Sequence, residues 1–134
     1  MIQSYFINLI NSFIDNNIDK RPIYLTFEIM QNEQGIAEKY QKIPVGLAFK
    51  LVKGNEIYKT NPDNLKLDKF IVSVKDKDYY QKKTIKELFS GSLVNMGRYA
   101  LITKDSVNAK KAFQKAIKVN PNDTLANEGL ELLR

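Results

Sequence analysis

LVNMGRYALITKDSVNAKKAFQKAIKVNP, residues 93–121, decides how this chain is read. Leu93, Met96, Ala100 and Leu101 recur at three- and four-residue steps and form one face of a helix. Thr103 to Ser106 breaks the pattern, and Asp105 or Ser106 is placed to cap a second helix. That helix carries Ala109, Phe113 and Ala116 on one face. Val119-Asn120-Pro121-Asn122 ends it, because proline cannot continue a helix. Gly97 on the first helix and Ala109 and Ala116 on the second fall where two antiparallel helices would cross closely. Phe113, one turn before Ala116, is the large side chain that fills the gap. Leu125, Leu130, Leu132 and Leu133 then predict a last helix that covers the exposed face of the hairpin.

The spacing of Gly97, Ala109, Phe113 and Ala116, closed by Pro121, resembles the 34-residue tetratricopeptide unit. Leu93 stands where that unit has a large aromatic residue, and Tyr99 sits one place early. The repeat count is one, or one and a half if Tyr79–Phe89 adds a helix. A single unit has little concave surface, since arrays that hold peptides stack three or more. Lys110, Lys111, Lys115 and Lys118 read as the solvated outer side of the second helix.

Upstream, Ile2, Phe6, Leu9, Ile10, Phe13 and Ile14 predict an amphipathic helix over about 2–16. Asn16-Asn17 ends it, and Pro22 pushes Arg21 out of helical geometry. Ile23 to Ile29 is β-branched and aromatic and predicts a strand. A polar loop over 31–35 and a short helical or irregular piece near 36–41 come next. A second strand is expected over 45–52, with Gly46 as a bulge or a close backbone approach, and a short third at Ile57-Tyr58 before the Asn61–Asn64 turn. Phe70 to Val74 reads as a further strand or connector, and the charge run from Lys75 to Asp78 as the joint between halves. The expected architecture is α+β, with a small α/β subdomain over 1–76 and a helical subdomain over 77–134.

Composition narrows the chemistry. The chain has no His and no Cys, which removes the commonest general base, the thiolate nucleophile and the commonest metal ligands. Glu28, Glu33, Glu38 and Glu56 show no spacing that pairs them for acid–base work, and the six glycines make no phosphate-binding loop. No catalytic residue, cofactor or metal is therefore expected. Residues 1–60 carry 7 basic and 6 acidic side chains, and residues 61–134 carry 14 and 9. That basic second half raises nucleic-acid or anionic-surface binding as the alternative function. Against it, 18 of the 21 basic residues are Lys, where specific phosphate and base readers favour Arg. Tyr79-Tyr80 beside Lys82-Lys83 reads as a helix start with core packing and a solvated face. Met1 to Ile18 is apolar but interrupted by Gln3, Ser4, Asn8, Asn11, Ser12 and Asp15, so it is neither a membrane span nor a signal peptide.

The run from Asn16 to Thr26, NNIDKRPIYLT, comes after a helix and opens a strand. Pro44 to Val52, PVGLAFKLV, comes next, and then the helical hairpin. This order resembles the C-terminal soluble part of bacterial polytopic membrane proteins of the protein O-mannosyltransferase-like group, over roughly residues 5–120. The resemblance implies a non-catalytic domain on the extracytoplasmic side, contacting a membrane-embedded part of the same parent protein. The catalytic acids of that family lie in loops of a membrane core that this sequence lacks, so no site residue carries over. Without the parent, the expectation is a cytoplasmic protein-interaction or scaffolding domain that binds a protein or peptide.

Overall fold

The computed structural model describes residues 1–67 and 78–134 and has the α+β architecture. The described chain groups into two compact units. One comprises Met1–Ile43 and Ala48–Glu56, and the other Pro44–Leu47 and Ile57–Arg134. The strand or connector expected at 70–74 and the subdomain boundary between 76 and 77 lie outside the described residues.

Helix α1, Ile2–Asn17, has the expected extent. It packs Ile7, Ile10 and Ile14 towards Leu25, Ile36 and Leu51. Asn11 fixes it to the next turn, its Nδ2 donating to the Gly35 carbonyl and its Oδ1 accepting from the Ala37 N–H, both at 2.8 Å. That clamp holds Ala37 at φ +53°, a conformation non-glycine residues seldom adopt.

Three short strands form the sheet: β1, Tyr24–Thr26, β2, Gln41–Val45, and β3, Ala48–Val52, in the order β1-β3-β2. β1 pairs antiparallel with β3, Leu25 opposite Phe49 and Thr26 opposite Ala48. The expected strand over 23–29 is cut short here. Thr26 meets the first residue of β3, so Phe27 has no ladder partner, and the chain turns into helix α2, Phe27–Asn32, with Glu28 in its first turn. The single strand expected over 45–52 is instead the end of one strand and the whole of the next. Gly46, φ +62°, is no bulge but the first residue of a two-residue hairpin turn, where a positive φ matches strand twist. Residues 36–40 are turns rather than helix, and Ile57-Tyr58 is not a strand. The Tyr58 N–H instead meets the Tyr99 hydroxyl at 3.3 Å.

In the second unit, a 3-10 turn at Pro62–Asn64 precedes helices α3, Tyr79–Ile102, α4, Ser106–Val119, and α5, Thr124–Glu131. Tyr79–Phe89 is no separate helix but the first part of α3. Asp78, Asp105 and Asp123 cap the three helices, each accepting the backbone N–H three residues on. The α3–α4 connection is a Schellman turn. The Lys104 N–H donates to the Leu101 carbonyl at 3.0 Å and the Asp105 N–H to the Ala100 carbonyl at 2.8 Å. Lys104 sits at φ +59°, where glycine is favoured. Lys104→Gly is expected to stabilise the unit by about 0.5–1 kcal/mol, relief of left-handed strain outweighing chain entropy. A raised urea midpoint checks this, and a lowered one would mean that the turn is not built this way.

Candidate interaction surfaces

Of the residues expected to define a repeat, Leu93, Gly97, Ala109, Phe113 and Ala116 are buried together in the second unit, with Val94, Met96 and Ala112 beside them. Pro121 is exposed and comes directly after Asn120, the C-cap of α4. A Cβ built on Gly97 would lie 2.7 Å from Phe113 Cε1. One on Gly129 would lie 2.5 Å from Phe113 Cζ. The aromatic ring is therefore held between the backbones of α3 and α5, and only glycine admits it at either side. Sequence reasoning missed Gly129, although a glycine inside a short helix was the available signal.

α5 covers the hairpin less completely than its leucines suggest. Ala126 and Gly129 are buried, Leu130 and Leu133 are partly so, and Leu125 and Leu132 point outward. The lysines of α4 also differ from expectation. Lys111 is not a free outer residue. It pairs with Asp63 of the 3-10 turn, which Lys115 also reaches at 2.5 Å while donating to the Pro62 carbonyl at 3.1 Å. These hydrogen bonds, Lys111 first and Lys115 second, hold the Asp63 carboxyl below the usual carboxylate range. Two of the four lysines expected on the solvated outer side are thus partly neutralised.

The first unit brings two of the four scattered carboxylates to one place. Glu33 and Glu38, with Lys42, Leu25 and Met30, line a cavity of about 240 Å³, and Glu28 and Glu56 do not. Among the described residues, no group of three or more carboxylates is arranged to hold a metal. Asp15 lies elsewhere, accepting Lys39 Nζ at 2.6 Å and the Tyr40 hydroxyl at 2.7 Å. These two partners, Lys39 foremost, lower the Asp15 carboxyl below its ordinary pKa, and Asp15 in turn raises the Tyr40 phenol above its own.

The largest departure from an ordinary surface is on α1. Ile2, Tyr5, Phe6, Leu9 and Phe13 are 88%, 70%, 48%, 68% and 53% exposed. At 100° per residue, the apolar arc of α1 spans about 200°, and only half of it faces the sheet. The other half forms a stripe at positions 2, 6, 9 and 13, with Tyr5 beside it. Taking ~150–250 Å² for a large side chain, the stripe leaves roughly 600 Å² uncovered, at the top of the range for the largest patch on a monomer. No charged side chain lies between Met1 and Ile14. Arg21 closes the far end, its guanidinium 5.6 Å from the Phe13 ring centre. Among the described residues, no helix is long and apolar enough to cross a membrane.

At the start of α3, Tyr79 and Tyr80 do not pack into the core as expected. Both are exposed and meet edge to face, their ring centres 5.5 Å apart. Next to them, a cleft of about 360 Å³ opens between the first turns of α3 and the α4–α5 connection. No protein family, no curated protein and no solved structure matches this chain.

Proposed function

We propose that this chain is a non-catalytic protein-interaction or scaffolding domain and that the outer stripe of α1 is its main contact face. The observation that carries the reading is the uncovered row of Ile2, Phe6, Leu9 and Phe13. A spacing of four, three and four residues is what a helix presents to a facing helix or groove. The polar arc of the same helix is Ser4, Asn8, Asn11, Ser12 and Asp15, without a Lys or Arg. A helix that lies on anionic lipid carries basic residues there, so the chemistry favours a protein surface. In the reading suggested by the resemblance to the mannosyltransferase-like group, that surface is a membrane-embedded part of a longer parent protein. The domain would then lie on the extracytoplasmic side.

The hairpin of α3 and α4, with its small residues at the crossing, is read as a tetratricopeptide-like unit serving as a rigid support. What favours this is the burial of Gly97, Ala109 and Ala116 around Phe113. One unit gives little groove of its own.

A surface kept for a partner contributes little to the chain's own folding. Leu9→Gln and Tyr5→Gln, each keeping a good helix former, are therefore expected to change stability by no more than about 0.5 kcal/mol. Urea unfolding of each variant measures this. A loss of about 2 kcal/mol or more would mean that the stripe is packed within the chain, and the reading would fall.

A further inference from the structure

The cleft at the start of α3 has a chemistry of its own. One wall carries Lys82, Lys83 and Lys86, from the first turns of α3, together with Tyr79. The other wall carries Asn120 and Asn122 from the α4–α5 connection. Among the described residues, the only acid in the lining is Glu87, which reaches Lys83 at 3.9 Å. Among the described residues, neither Lys82 nor Lys86 has a carboxylate within 4.0 Å. Lys111 and Lys115 on α4 make the contrast, both taken up by Asp63.

We infer that this cleft binds an acidic peptide segment in extended conformation, with the lysines meeting its carboxylates and the asparagines meeting its backbone. Three ammonium groups around one concavity, opposed by a single acid, attract a ligand with several negative charges. Each asparagine amide offers a donor and an acceptor together, the pair that a peptide group presents and a phosphate does not. Among the described residues, the lining contains no Arg, and Tyr79 is its one aromatic residue. Nucleic-acid sites use guanidinium forks on phosphates and bases, and several stacking platforms for single strands. This site is separate from the α1 stripe, and the inference stands or falls independently of the function proposed for that stripe.

Fluorescence anisotropy with fluorescein-labelled decaglutamate at 50 and 200 mM salt tests it. Binding is expected at 50 mM and to weaken at 200 mM, as screening of multiple ion pairs requires. The double variant Lys82→Glu/Lys86→Glu is expected to weaken binding at least about tenfold. Lys110→Glu/Lys118→Glu changes net charge equally on exposed residues outside the cleft and should cost less than about threefold. Asn122→Ala should cost about threefold with no change in charge. Every substituted side chain is exposed, so the thermal melt of each variant by circular dichroism should match the parent. No binding at 50 mM salt would overturn the inference, and so would equal losses for the two double variants. Tighter binding of a labelled ten-residue oligothymidine than of decaglutamate would overturn it in favour of a nucleic-acid site.

Discussion

Phe113→Ala is expected to destabilise the helical unit by about 3–5 kcal/mol, the largest effect of any single truncation in the chain. The ring has no exposed surface, and the two glycines that enclose it have no side chains to fill the space it would leave. The resulting cavity would be walled by the backbones of α3 and α5, which cannot close without moving whole helices. Gly97 and Gly129 each cost the helices about 1 kcal/mol of intrinsic propensity relative to alanine. The ring packing offsets that cost, which is why the glycines and Phe113 belong to one device. Urea denaturation with an unchanged m-value is the measurement. A loss below about 1 kcal/mol would show that the ring is not enclosed.

Overpacking at the crossing of α3 and α4 gives the second large effect. Ala109 has no exposed surface. Ala109→Leu adds three carbons where the helices already touch, and is expected to cost about 1–3 kcal/mol, more if the helices must separate. Lys110→Leu is the control, one residue along the same helix and exposed, with an expected change within about 0.5 kcal/mol. Lys111 would mislead as a control, because removing its charge also breaks the pair with Asp63. Equal, small shifts for Ala109→Leu and Lys110→Leu would mean that Ala109 is not at the crossing and that the alignment of the repeat is wrong.

The helical half was legible because its information is local. Three- and four-residue steps, a cap at Asp105 and small residues at set spacing are visible along the chain, whereas the caps at Asp78 and Asp123 emerge only in the structure. The sheet was less legible because its strands are short and depend on distant partners. Phe27-Glu28-Ile29 has β-forming residues, yet no strand lies opposite it once β3 begins at Ala48. Gly46 reads as a bulge or a close backbone approach inside one strand until the segments on either side are known to pair with each other. Lys111 and Lys115 read as solvated because Asp63, about fifty residues earlier in sequence, gives no local sign of meeting them.

The candidate contact face was legible only in part. The apolar period of α1 predicts the helix but not which residues turn inward. Of the six positions that defined it, Ile14 is buried, Ile10 is half-buried, and Ile2, Phe6, Leu9 and Phe13 face outward. An arc wider than one sheet face can cover was the available sign of a second contact. The lysine cleft had no sequence signature, because its walls come from α3 and from the connection more than thirty residues later.

Photo-crosslinking from α1 tests the central claim most directly. A benzophenone side chain is placed at position 9, on the stripe, or at position 8, on the polar arc. Each variant is expressed in cells within its natural protein. A discrete adduct with a protein segment is expected from position 9 and none from position 8. Leu9 lies on the proposed contact stripe, whereas Asn8 is exposed on the polar arc about 100° away. No protein adduct from position 9, or adducts to lipid alone, would contradict it.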